Sequence, residues 1–491
     1  MKSVLLAGAA ALVLSGCAVM RSHDSEMSAT LQSAMSGQVD TALAKHESHN
    51  KLGGKDFLYF LERGELLRLK GDYAQSRDTW LQADEFVRQW EERTRLAEAA
   101  TNVLEQIGSV LINDKVRSYE GQDYEKVALA SRLALNHAVL SDWEGARVEV
   151  RKMHEREAII AEYRAKEVEE LKAAAEEKNI TTTVETLEGY PIETLNSPDV
   201  TKLRNSYQSA FGHYLAGFIY EVLNEPGLAA AGYRQAIELR PDVPMLKQGL
   251  AGLDRRVKRR RHDRTDTLIV VESGRAPALQ SVTIPLPAPT ANGLLVVPVS
   301  FPTIGDRFPS VTPLELKIGR ETHKLAEVTS FDSMARRALR DNLPGIIIRS
   351  TLRAASKGAM QHAASQSDSP LVLLAAIAAT VVTESADERI WRSLPADIAI
   401  GRVSLPPGKH KAELVTSAGT REIEFEVQGP YSIVTLRTAD SGDVFLAQAT
   451  TPAIEPPQRA KALPKKRVNT RRAASAKPAA GTRAQAGATT P

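Results

Sequence analysis

Apolar residues recur at helical spacing through the first half of the chain and at alternating spacing through the second. Between Asn205 and Pro241 (NSYQSAFGHYLAGFIYEVLNEPGLAAAGYRQAIELRP) they follow the 3.6-residue period of two helices, interrupted by a turn at Asn224-Glu225-Pro226. After Thr265 the period shortens. Val-, Ile- and Thr-rich runs bounded by Gly and Pro predict strands at Leu268–Glu272, Gln280–Ile284, Leu294–Val299, Leu314–Ile318, His323–Val328, Ile398–Ser404, Lys411–Thr416, Arg421–Val427 and Tyr431–Leu436. Pro285, Pro287 and Pro289 mark an edge or a crossing loop. Helices interrupt the strands between Asp332 and Ala386, with a break expected at Pro344-Gly345.

Within 205–241 the small and aromatic residues keep fixed offsets. With Gly217 at position 8 of a 34-residue tetratricopeptide unit, Tyr220 falls at 11, Ala229 at 20, Tyr233 at 24, Ala236 at 27 and Pro241 at 32. The same phase fits Gly64, Leu67, Gly71, Tyr73, Ser76, Trp80 and Ala83, and again Ala134, His137, Ser141, Trp143, Ala146, Val150 and Met153. From Gly64 to Ala134 is 70 residues, twice a period near 35, so Glu91–Val116 is expected to form a degenerate hairpin. From Ala134 to Gly217 is 83 residues, which signals an insertion. It reads as a long charged helix over His154–Lys178, solvated and laced by i,i+4 pairs, followed by a loop over Asn179–Asp199. Such units cannot bury their apolar face alone and stack on one another; they commonly bind proteins along a concave face.

Charge changes the picture at the ends. The net charge of +3 divides into +8 over Thr450–Pro491 and −5 elsewhere. The tail is rich in Ala, Pro, Thr, Lys and Arg with almost no large apolar residue, so disorder is expected, with peptidoglycan or anionic lipid as possible ligands. The run Arg255–Arg261 closes the helical half, where cations complement a helix C-terminus, and no nucleic-acid partner is expected.

The N-terminus carries Lys2, the apolar run VLLAGAAALVLSG and then Leu14-Ser15-Gly16-Cys17, around the only cysteine of the chain. This resembles the lipobox of bacterial lipoproteins, which implies diacylglycerol on the Cys17 thiol and cleavage before it. The run is shorter than the roughly 20 residues of a membrane-spanning helix. Ala18, rather than Asp, after the cysteine implies the outer membrane, with the protein facing the periplasm.

The sequence offers no phosphate-binding glycine loop, no GxSxG elbow and no HExxH. His46 and His49 form an HxxH pair without a carboxylate partner set, and His410 lies in a turn. Arg349, Arg353 and Lys357 make one basic stripe, and Leu371–Val382 is a twelve-residue apolar run, expected as a core helix. No catalytic residue, cofactor or metal is expected. The stretches VALASRLALNHAVLSDWEGARVEV (127–150), 205–241 and RIWRSLPADIAIGRVSLPPGKH (389–410) resemble a little-characterised family of bacterial tetratricopeptide-repeat lipoproteins. The resemblance implies an envelope scaffold and no assigned activity.

The expected architecture is α+β and multidomain. It comprises a signal peptide (1–16), a tether (17–54), a tetratricopeptide-like α-solenoid (55–254), a basic linker (255–264), a β-rich, sandwich-like domain (265–440) with a helical insertion (332–386), and a disordered basic tail (441–491). The expected function is an outer-membrane-anchored scaffold that binds envelope proteins through its repeats. The alternative is a module that holds peptidoglycan or anionic lipid through the β domain and tail.

Overall fold

A common turn joins the helices in pairs. The computed structural model describes residues 23–51, 55–99, 118–177, 183–184, 187–258, 263–290, 293–365, 386–439 and 443–451. Helix α1 (His23–Met35) leads to α2 (Val39–His49), and α3 (Phe57–Leu69) to α4 (Tyr73–Ala99). Likewise α5 (Asp123–Val139) leads to α6 (Trp143–Glu177), and α7 (Ala210–Val222) to α8 (Pro226–Leu239). Each turn places one residue in the left-handed region: Gly37 at φ 82°, Gly71 at 86°, Ser141 at 61° and Asn224 at 65°. After α3, the Gly71 N–H donates to Arg68 O and the Asp72 N–H to Leu67 O; the other three turns repeat both bonds. This is the Schellman closure of a helix C-terminus.

Gly37 and Gly71 are 34 residues apart, one repeat period, so α1 and α2 form a hairpin co-phased with the others. Residues 23–49 are therefore not part of a tether, as the sequence had suggested. Thr30 and His46 stand where Gly64 and Trp80 stand in the next unit, and both are buried. The hairpins pack in chain order, α2 on α3, α4 on α5 and α6 on α7. Glu91–Ala99 continues α4 rather than opening a new hairpin, and 100–117 lie outside the described residues.

The long charged helix is the second half of α6, continuous with its repeat. Much of it is solvated, as expected, but some of its charges reach neighbouring helices, and Arg164 pairs within the helix with Glu167 at i,i+3. Arg156 bonds Asp84 and Glu91 of α4, and Arg164 bonds Asp123 of α5.

Eleven strands follow among the described residues. β1 (Thr265–Ser273), β6 (Ala326–Ser330), β7 (Asp397–Leu405), β10 (Tyr431–Thr438) and β11 (Val444–Thr450) form a mixed sheet in the order β11-β10-β1-β7-β6, in which β1 and β10 run parallel. β4 (Pro313–Ile318), β5 (Glu321–Lys324), β8 (Gly408–Thr416) and β9 (Gly419–Val427) form an antiparallel sheet, β5-β4-β8-β9. β2 (Leu279–Thr290) and β3 (Gly293–Ile304) make a separate two-stranded ribbon. The three prolines of β2 sit inside a strand of a two-stranded ribbon, as an edge tolerates; Pro285 faces Pro298, so both main chains lack an N–H donor at the same pair.

Alternation sorts the five-stranded sheet into two faces. Ile269, Val271, Val403, Leu405, Val434 and Leu436 meet Leu414, Ile423 and Phe425 of the second sheet, as in a sandwich. Leu268, Val270, Ile398, Ile400, Tyr431 and Ile433 face the other way, into the core of the helices. The change from helix to strand falls at Thr265, as the sequence indicates, but helices and strands share one core within one compact unit.

Helix α9 (Phe331–Ser365) packs on the ribbon and runs through Pro344 without the expected break. Gly345 there serves close approach: an added Cβ would lie 2.7 Å from Leu171 Cδ1 of α6. The apolar run 371–382 and the basic tail lie outside the described residues.

Candidate functional site

The small and aromatic signature residues meet in pairs. Trp80 lies over Gly64, its Nε1 donating to Leu61 O at 3.1 Å, and any Cβ on Gly64 would overlap the ring. Tyr233 lies over Gly217 in the same way, with an added Cβ only 2.6 Å from Tyr233 Cδ1. Ala83, Ala134, Ala146, Ala229 and Ala236 are fully buried, and Trp143 and Tyr220 nearly so. Tyr73 is half-buried beneath Arg68. Pro241 follows the end of α8 and is exposed. Cys17 lies outside the described residues. Ser76 Oγ donates to Gly64 O at 2.7 Å and accepts from Asn136 Nδ2 at 2.8 Å, which ties one unit to the next.

The first helices of the last three hairpins, α3, α5 and α7, turn their inner faces to the five-stranded sheet. All thirteen residues of α7 are buried as a result. This inner face, the expected partner groove, is filled by the chain itself.

Residues 390–394 lie against that face, turning at Arg392-Ser393. Glu62 of α3 accepts the main-chain N–H of Arg392 at 2.7 Å and of Ser393 at 3.0 Å; Glu125 of α5 accepts that of Trp391 at 2.7 Å. Carboxylates that take main-chain donors satisfy a segment which has no ladder of its own. Glu125 also accepts from Tyr119 Oη and the Gln122 N–H, and burial still pushes its carboxyl above the ordinary glutamate value. The Arg392 guanidinium bonds Asp24 of α1 and Ala276 O.

Two ionic clusters tie helices to sheet. Arg132 of α5 grips both oxygens of Glu65 at 2.7 Å and also bonds Glu272 of β1, which Arg68 reaches at 3.3 Å. Burial alone would raise the Glu272 carboxyl, but Arg132, Arg68 and Arg437 hold it down to about 2. In the other cluster, Arg402 of β7 bonds both oxygens of Asp266 at 2.8 Å, Glu221 of α7 at 2.9 Å and Tyr233 Oη at 3.0 Å. Arg256 joins it through Glu221 at 2.6 Å, which gives the basic run 255–261 a structural duty at this residue.

Glu62, Glu65, Glu125, Arg132, Glu221, Asp266 and the role of Trp391 escaped the sequence reading. The signal that marked them was charge at inner positions of otherwise apolar helices: Glu62, Glu65 and Arg68 within LYFLERGELLRLK.

A cavity of about 360 Å³ opens between β1, β6, β7 and the loop before β4, lined by Ser273, Arg307, Phe308, Thr312, Glu327 and Asp397. Arg307 binds Asp397, whose carboxyl burial pushes upward. His46 is buried, stacked on Tyr59 and bonded to its carbonyl, while His410 bonds Pro406 O. Arg349 of the basic stripe pairs with Glu167 of α6. Among the described residues no group of three His, Cys, Asp or Glu is placed to hold a metal ion, and no helix is long and apolar enough to cross a membrane.

No protein-family model matches the chain, and no curated protein does. A crystal structure of a tetratricopeptide repeat protein from Parabacteroides merdae ATCC 43184 matches over 47% of this chain and 98% of its own, at 13% identity and a TM-score of 0.13. A likeness of that size establishes neither fold nor function.

Proposed function

We propose that the chain is a lipid-anchored scaffold of the bacterial outer membrane, facing the periplasm and binding envelope proteins through the outer face of its helical hairpins. The observation that carries this is where the apolar surface lies. With the inner face filled, six of the eight exposed large hydrophobic side chains among the described residues stand on the second helices: Leu81, Phe86 and Leu96 on α4, Val148 and Val168 on α6, and Leu228 on α8. Exposed apolar groups gathered on one layer of helices suit a contact surface for a protein partner. The lipobox at Cys17 supports the anchor.

The test is crosslinking in intact cells followed by pull-down and mass spectrometry, comparing wild type with Leu81→Glu/Val148→Glu. Both positions are exposed, so the fold should survive, which circular dichroism checks. A discrete set of envelope proteins, lost in the variant, supports the scaffold. The same set recovered from both overturns it. Binding to purified peptidoglycan that vanishes on deleting residues 450–491 would favour the wall-binding alternative.

A further inference from the structure

We infer that one particular face of the protein rests against the phospholipid headgroups: the start of α1 together with the loop at 305–312. This rests on reading Cys17 as the acylated residue. A tether over 17–54 would let the body stand on the order of 100 Å from the bilayer, at about 3.3–3.6 Å per residue. Yet α1 begins at His23, so only residues 18–22 separate it from Cys17. Whatever path they take, six steps along the chain reach at most about 22 Å.

The start of α1 cannot swing away to lengthen that reach. Asp24 is bonded to the Arg392 guanidinium at 2.8 Å, and the Arg392 main chain is held by Glu62. Met27 and Leu31, one and two turns on, are buried. A body of some 430 residues has a radius of gyration of about 22 Å, hence a diameter more than twice the reach of the link. The link therefore selects a face, and that face is the one at the start of α1.

Arg392 also shows what shares this face. The half-buried Phe308 ring packs near the guanidiniums of half-buried Arg275, 5.0 Å away, and buried Arg392, 5.2 Å away. Asp306, Arg307 and Pro309 are exposed beside it. Arginine with an aromatic ring and a proline, and Asp306 as the one exposed acid of the loop, suits a phosphate-bearing layer.

The experiment uses the full lipidated protein in vesicles of phosphatidylethanolamine and phosphatidylglycerol that carry a headgroup-linked quencher. Asp306→Cys and, on α8 three hairpins away, Arg234→Cys each supply a single free thiol for a fluorophore, because acylation occupies Cys17. Quenching several-fold stronger at 306 than at 234 is the expected result. Equal quenching, or stronger quenching at 234, overturns the inference. Flotation with the vesicles tests the anchor separately: a protein that fails to float, or floats equally well as Cys17→Ala, refutes the acylation reading instead. Inserting a Gly/Ser spacer of about 20 residues before His23, a flexible coil of about 25 Å root-mean-square span, should erase the difference while flotation persists. A difference that survives the spacer would overturn the short link as its cause.

Discussion

The indole of Trp391 meets that of Trp80 edge to face, with ring centroids 5.9 Å apart and planes at 76°. One comes from the second helix of a repeat and the other from the segment that precedes β7, more than 300 residues later. Both are fully buried, so the contact joins the helical half to the sheets within one core.

Trp391→Ala should therefore weaken both halves together. Emptying a buried tryptophan site costs about 3–5 kcal/mol. Urea unfolding followed by far-ultraviolet circular dichroism and by fluorescence should give one shared transition in the wild type, moved to lower urea in the variant. Separate helix and sheet transitions in the wild type would show that the shared core does not couple them.

Glycines of the repeats should answer alanine with opposite signs. Gly64→Ala and Gly217→Ala force a Cβ into Trp80 and Tyr233 and should destabilise by about 1–3 kcal/mol, although alanine is the better helix former. Gly227→Ala, in the first turn of α8 with open space around it, should be neutral or stabilising by up to about 1 kcal/mol. Thermal melts of the three variants decide; a loss at Gly227 equal to that at Gly64 would sink the close-approach account.

The four left-handed turn positions predict another reversal. Ser141→Gly and Asn224→Gly should stabilise, by up to about 1 kcal/mol, because only glycine holds that conformation without strain. Gly71→Ala should cost about 1 kcal/mol for the same reason. Melting temperatures that move the same way in all three would contradict the shared turn.

Acid should release the Glu272 cluster. The carboxyl is depressed to about 2 when folded and is ordinary when unfolded, so its contribution is complete above about pH 4.5 and vanishes as pH falls towards 2. The size is about 3 kcal/mol. Glu272→Gln should be strongly destabilised at pH 7 and show a flatter fall in stability through that window. A wild type and variant with parallel acid profiles would mean that another group governs the transition.

Much of this was legible where the pattern is local. The fourth hairpin declares itself because Gly217, Ala229 and Tyr233 fix helix approach within forty residues, and eight of the nine expected strand runs match single strands through β-branched alternation; His323–Val328, read as one strand, divides at Leu325 into β5 and β6 of different sheets. The first hairpin was not, because Thr30 and His46 replace the small and aromatic pair, so its buried face reads as polar. β11 was missed because VFLAQAT shows little alternation beside the tail. The filling of the inner face was the least legible feature, since Glu62, Glu125 and Trp391 meet across hundreds of residues and leave no periodic mark. Its nearest sign was α7, AFGHYLAGFIYEV, apolar almost all the way round and so in need of cover on every side. The stretch 389–410 helped carry the family resemblance, yet nothing within it told that its first residues pack against the repeats.

The parallel pairing of β1 with β10 sets a timetable. Strand β1 is complete by residue 273, but the neighbour that covers its edge begins at Tyr431. Until β10 and β11 have been synthesised, the sheet that α7 lies against lacks two of its five strands, and Phe218 lacks the Tyr431 ring that packs on it. A chain cut short before Tyr431 would be a client for holdase chaperones and proteases rather than a smaller working protein. The shared core thus closes over its N-terminal helices with the last strands to be made.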